Sequence, residues 1–221
     1  RMRNLEVAEI VDQVALIDRQ SKEYFDRPLT NIVFMGMGEP MMNYKNVVEA
    51  IHKITKPEGL GMSPRRITVS TSGIPKMIKM LADEEIKVKL ALSLHSAIEH
   101  KRNDIMPFSE KFPLTDIMDS LQYWYQKTGS PITFEYCVWK GINDGDDDIK
   151  ALIRYCRQVP SKVNLIQYNP IGEGKFDHRS ISAEEKYVRE LEKAGITIMV
   201  RKSRGGDIDA VCGQLANKTA E

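Results

Sequence analysis

Five short segments carry the residue types that could do chemistry. Met35-Gly-Met-Gly-Glu-Pro40 offers two glycines, which let a ligand approach the backbone, and an anion at Glu39 that suits a ligand ammonium group. Ser70-Thr-Ser-Gly73 and Ser93-Leu-His-Ser96 supply hydroxyls and one imidazole, groups able to grip a carboxylate and a ribose. Tyr168-Asn169-Pro170 adds an amide that both donates and accepts. The stretch from Arg201 to Gly213 is basic and glycine-bearing and delivers Cys212, whose thiolate the neighbouring Arg and Lys favour as a nucleophile. Each segment also has a plainer reading: a glycine turn, helix N-caps, a satisfied histidine, a turn opened by Asn-Pro.

Their shared feature is position, because each follows a short apolar run that reads as a buried strand. Such runs fall at 31–35, 66–70, 87–94, 132–139, 163–168 and 197–201, and amphipathic stretches lie near 44–54, 74–82, 114–127, 147–157 and 183–194. This alternation predicts right-handed βα units and a largely parallel sheet, with ligands gathering at the strand carboxyl ends. Six strands are too few for a closed eight-stranded barrel, while a doubly wound fold would usually announce itself with a Gly-rich turn after its first strand, and the expected architecture is an open, partial α/β barrel. A helix with Asn4 as N-cap, followed by Glu6 and Glu9 and by apolar Leu5, Ile10, Val11, Val14 and Ile17, starts almost at the first residue. The chain is therefore expected to begin mid-fold, its first strand missing and a sheet edge unpaired. The acidic stretch at 143–148 lacks the spacing of a calcium loop and reads as a solvated turn leading into a helix N-terminus.

Composition narrows the classes. The 221 residues are 42% hydrophobic and 29% charged, with a net charge of +1, so any nucleic-acid contact must be local. Basic clusters at Arg65-Arg66, Lys87/Lys89 and Arg201-Lys202/Arg204 are the candidates for it. No apolar run approaches the ~20 residues of a membrane span, no signal peptide is recognisable, and the cytoplasm is the expected compartment. Cys137, Cys156 and Cys212 are too far apart for a local metal loop; the first two read as core thiols.

In order and wording these segments resemble one family along nearly the whole chain: RlmN, radical-SAM methyltransferases acting on an adenine of 23S rRNA and, in some members, of tRNA. The resemblance rests on Arg3-Asn-Leu5 with Glu9-Ile10, Gly36-Met-Gly-Glu-Pro40, Arg66 to Gly73, Leu92-Ser-Leu-His95, Phe134-Glu-Tyr136 with Gly141-Ile-Asn-Asp144, Asn164-Leu-Ile166 with Asn169-Pro170, and Arg204 to Leu215. It implies a single core domain over 1–221 with a polar tail at 216–221. It also implies that S-adenosylmethionine (SAM) is bound through Gly38 and Glu39 at the methionyl amine and through Ser70, Ser93, Leu94, His95 and Asn169 elsewhere. Cys212 would be the methyl-carrying cysteine; a second SAM, reduced by a 4Fe-4S cluster fed by a flavodoxin-type donor, would drive transfer to C2 of the adenine. The family's C-x-x-x-C-x-x-C cluster loop and its resolving cysteine are expected to lie before this chain's first residue, so the chain alone is expected not to methylate RNA. Gly206, Trp139 and Gln167 depart from commoner family residues. Two rival expectations are a relative that methylates C8, and a non-catalytic SAM- or RNA-binding module.

Overall fold

A strand alternates its side chains between two faces, whereas a helix gathers apolar residues three and four apart on one side, so the two must meet along their apolar surfaces. The computed structural model describes residues 3–35, 38–166 and 181–201. Six strands, β1 (Ile32–Phe34), β2 (Ile67–Thr71), β3 (Lys89–Ser93), β4 (Ile132–Cys137), β5 (Ser161–Ile166) and β6 (Thr197–Arg201), form one all-parallel sheet in the order β1-β2-β3-β4-β5-β6. Between and around them run α1 (Val7–Phe25), α2 (Tyr44–Thr55), α3 (Pro75–Asp83), α4 (Glu99–Ile105), α5 (Leu114–Thr128), α6 (Asp146–Cys156) and α7 (Ile181–Lys193). Winding in one direction with crossovers of one hand places the crossover helices on a single face. The expected α/β architecture with a parallel sheet is the observed one.

The core lies between that face and the helices. Ile67, Val69, Leu90, Leu92, Phe134, Tyr136, Val163 and Leu165 from the strands meet Ile51, Ile78, Leu121, Trp124, Leu152 and Leu191 from the helices, all essentially inaccessible to water. Fully burying each such side chain contributes about 1.5–3 kcal/mol relative to leaving it in water. Alternation turns Ser70, Ser93, Thr133, Glu135, Asn164 and Met199 to the opposite face. At the carboxyl ends the outermost strands draw together, with Arg201 Nη1 3.9 Å from Met35 Sδ. The sheet is therefore curled, and this polar face is its inside.

Several local details differ from expectation. The first helix is capped at Glu6, whose backbone N–H donates to the Glu9 carboxylate at 2.8 Å, so Asn4 lies outside the helix. Helix α4, largely charged, has no counterpart among the expected elements. The acidic turn is only partly solvated: Asp148 is buried, and both its oxygens accept from Lys101 Nζ at 2.8 Å.

Candidate ligand site at the strand carboxyl ends

The loop after β1 brings Gly38 and Glu39 against the end of β2. Gly38 has φ +90, a conformation costly for any residue with a Cβ, and nothing lies within 4 Å of where a Cβ would be, so the backbone there can be approached. Glu39 Oε1 accepts from Met41 N at 3.0 Å and Thr71 Oγ1 at 2.8 Å, while Oε2 accepts from Ser72 N at 2.7 Å and Ser72 Oγ at 2.8 Å. These bonds clasp the β1 loop to β2. They also occupy the carboxylate's principal acceptor directions, so a ligand ammonium must share an oxygen or displace a hydroxyl. Among the described residues no cation pairs with Glu39, which leaves its charge open to an external one. Gly73, at φ +98, closes the same corner: a Cβ there would come within 2.9 Å of Ile117 and Leu92 side-chain carbons.

Ser70 and Ser93 both face the inside of the sheet, and neither hydroxyl has a hydrogen-bond partner among the described residues. Leu94 differs from its neighbours: its side chain is fully buried in the core, so only its backbone can meet a ligand. His95 turns back out with φ +56, and its Nδ1 accepts from Cys137 N at 3.2 Å. That bond places the remaining ring proton on Nε2, a donor at the rim. Burial, with a smaller push from Arg102, lowers the His95 pKa to about 4, so the imidazole is neutral at pH 7. Asn169 and Cys212 lie outside the described residues, as do Gly36, Lys202 and Arg204.

Two buried side chains that were not among the expected site residues hold this rim in shape. Asn143 donates through Nδ2 to His95 O at 2.6 Å and Cys137 O at 2.8 Å, and accepts from Trp139 N at 2.7 Å, tying the His95 loop to the end of β4. Arg102, on α4, is wholly buried and donates to Ser72 O at 2.6 Å and, more weakly, to Ser93 O at 3.4 Å, bridging the ends of β2 and β3. Deeper on the inner face, Glu135 lies level with Ser93 on one side and Asn164 on the other. Burial pushes its carboxyl upward, opposed by the Asn164 hydrogen bond and by the charges of Arg201 and Lys162.

Other features separate from this site. Arg65, Arg66 and Lys87 lie at the amino ends of β2 and β3, so the basic clusters do not share one rim; among their described residues only Arg201 is at the carboxyl ends. A cleft lined by His52, Arg65, Glu84 and Lys87 belongs to that opposite end. Cys156 is buried, its thiol pushed up to about 12, and Cys137 is buried too, as expected of core thiols. No group of three potential metal ligands occurs among the described residues, and among them no helix is long and apolar enough to cross a membrane.

Comparison with known proteins gives this arrangement its class. A radical SAM methyltransferase from Sphaerobacter thermophilus, solved by crystallography, superimposes with a TM-score of 0.93 at 39% identity, covering 96% of this chain and 62% of that one. The fold is that of a radical-SAM methyltransferase core. Two curated relatives, from Christiangramia forsetii and Flavobacterium psychrophilum, are 64% and 63% identical over 100% and 99% of this chain, and each is named a probable dual-specificity RNA methyltransferase RlmN. Over nearly its whole length the chain is similar to proteins of the RlmN name. It spans 62% and 63% of those two relatives' lengths. No family model matches it.

Proposed function

We propose that the intact protein is a radical-SAM RNA methyltransferase that places a methyl group on C2 of an adenine in 23S rRNA and in tRNA, and that this chain is its SAM-binding core. The observation carrying the reading is the whole-chain identity to relatives bearing that name. The inner rim suits SAM: an open glycine backbone at Gly38, the Glu39 carboxylate with no cation beside it among the described residues, Ser70 and Ser93 hydroxyls with no partner among them, and a neutral N–H donor at His95. In this reading Gly38 and Glu39 seat the methionyl ammonium, and Ser70, Ser93, the Leu94 backbone, His95 and Asn169 hold the remainder. Asn143 and Arg102 keep those walls in register. Cys212 carries the methyl group as a thioether, its thiolate favoured by Arg201, Lys202 and Arg204.

A 4Fe-4S cluster supplies, when bound, the electron that makes a radical from SAM. The described residues offer no ligand set for it. The electron donor is a flavodoxin-type protein, and the setting is the cytoplasm.

The test is methylation of a 23S rRNA fragment by the intact protein, read by nucleoside mass spectrometry. 2-Methyladenosine, abolished by Cys212→Ala, is the expected result. 8-Methyladenosine would assign the protein to the C8 chemistry instead, and no methylated adenosine from a cluster-loaded enzyme would overturn the reading.

A further inference from the structure

Arg102 is buried without an anion beside it. Its side chain is wholly inaccessible, no carboxylate among the described residues forms an ion pair with it, and its Nε and Nη1 have no hydrogen-bond partner there. Glu99, on the same helix, uses its Oε2 to accept from Leu114 N at 2.9 Å. Burial lowers the guanidinium's pKa, and only Tyr155 and Glu99 act in the other direction. Taking a cation out of water is costly, and a neutral amide could bridge two backbone carbonyls without that penalty. A cation kept in this place calls for an interaction that uses its charge.

The turn after β2 supplies one. Arg102 Nη2 donates to Ser72 O at 2.6 Å; the N–H of that same peptide unit, on Gly73, donates to Thr71 Oγ1 at 3.0 Å; and the Thr71 hydroxyl donates to Glu39 Oε1 at 2.8 Å. Every donor in this chain points the same way, from guanidinium to carboxylate. The direction is fixed, because the carboxylate can only accept and takes the single Thr71 proton, leaving a lone pair for Gly73 N. Aligned hydrogen bonds polarise one another, so a positive charge at one end strengthens the last bond to a negative charge at the other. Helix α4 is itself held in place, through Lys101 on Asp148 of α6 and through Glu99 at the start of α5.

We infer that Arg102 is a positioning residue for the ligand ammonium: acting through Ser72, Gly73 and Thr71, it fixes the Glu39 carboxylate in the orientation that receives the amine. This rests on the reading that Glu39 meets the methionyl ammonium of SAM. Arg102 itself touches no ligand; its charge serves a carboxylate on the far side of the β2 turn.

The experiment is calorimetric titration of the intact protein with S-adenosylhomocysteine and with its analogue lacking the α-amino group. In the unaltered protein, loss of the amine is expected to weaken binding about 30-fold, as for one charge-assisted hydrogen bond. In Arg102→Met that penalty shrinks to under about fivefold, while the amine-free analogue binds within about threefold of its affinity for the unaltered protein. Arg102→Gln, which keeps a donor for Ser72 O without the charge and is the milder change to the fold, shows the same contraction. Arg102→Lys, which keeps the charge, restores most of the penalty. Thermal melting checks that each variant is folded. A folded Arg102→Met or Arg102→Gln that keeps the full amine penalty would overturn the inference. So would an equal loss for both ligands, the mark of a purely structural role, or a lysine variant no better than the glutamine one. Failure of S-adenosylhomocysteine to bind the unaltered protein, or binding indifferent to the amine, would instead remove the reading of Glu39 as the ammonium site, and the inference with it.

Discussion

The two faces of the sheet are made by the same strands and obey different rules. Toward the helices, Leu90, Leu92, Phe134, Tyr136, Val163 and Leu165 are apolar or ring-bearing and completely packed. One residue away in each strand, Ser93, Thr133, Glu135 and Asn164 are polar, and two of their acceptors have no donor. The first face holds the fold. The second carries the polar groups of the proposed SAM site, so stability and binding are separable by face.

The largest test of that separation is on the packed side. Leu92→Ala should cost about 2–5 kcal/mol in denaturant unfolding, whereas Ser93→Ala on the inner face should remain within about 1 kcal/mol of the unaltered protein while losing SAM affinity. Equal losses from both would erase the distinction. Asn143→Ala strikes the join between the faces: three hydrogen bonds disappear, and about 2 kcal/mol of stability should go with them, together with much of the SAM affinity as the His95 loop loosens.

A pH series sharpens the comparison further. His95 has its folded pKa depressed to about 4 from the ordinary 6.5, so its neutral form is favoured in the fold. Its contribution is present above pH 6.5 and is lost as pH falls from about 6.5 toward 4, where the unfolded chain takes up the proton first. His95→Gln should flatten that part of the stability profile; an unchanged acid limb would contradict the assignment. The smallest effect belongs far from either face. Lys53→Ala breaks an exposed pair with Glu49, 3.5 Å apart on α2, and should change stability by no more than about 0.5 kcal/mol with no effect on binding.

Much of this was legible in the residues themselves. Apolar runs at 31–35, 66–70, 132–139 and 197–201 marked strands, and the glycines and hydroxyls after them marked the rim. What stayed hidden depends on distance along the chain. Glu39 finds Thr71 and Ser72 more than thirty residues on, and Arg102 reaches Ser72 thirty residues back, contacts that no local pattern encodes. Helix α4 was unseen because Glu99–Ile105 is mostly charged and its buried face depends on one arginine. Leu94 reads as part of a ligand loop, yet strand alternation carried one residue past β3 sends it into the core. Glu135 and Asn164 appear as ordinary strand residues until the register puts them side by side.

The most direct test of a SAM site at the inner rim is hydrogen–deuterium exchange of the intact protein with and without S-adenosylhomocysteine. Protection should concentrate at 38–43, 70–73 and 93–96, with little change in α2, α3 and α5. Protection confined to the helices, or at the amino ends of the strands around Arg65 and Lys87, would contradict the placement of the site.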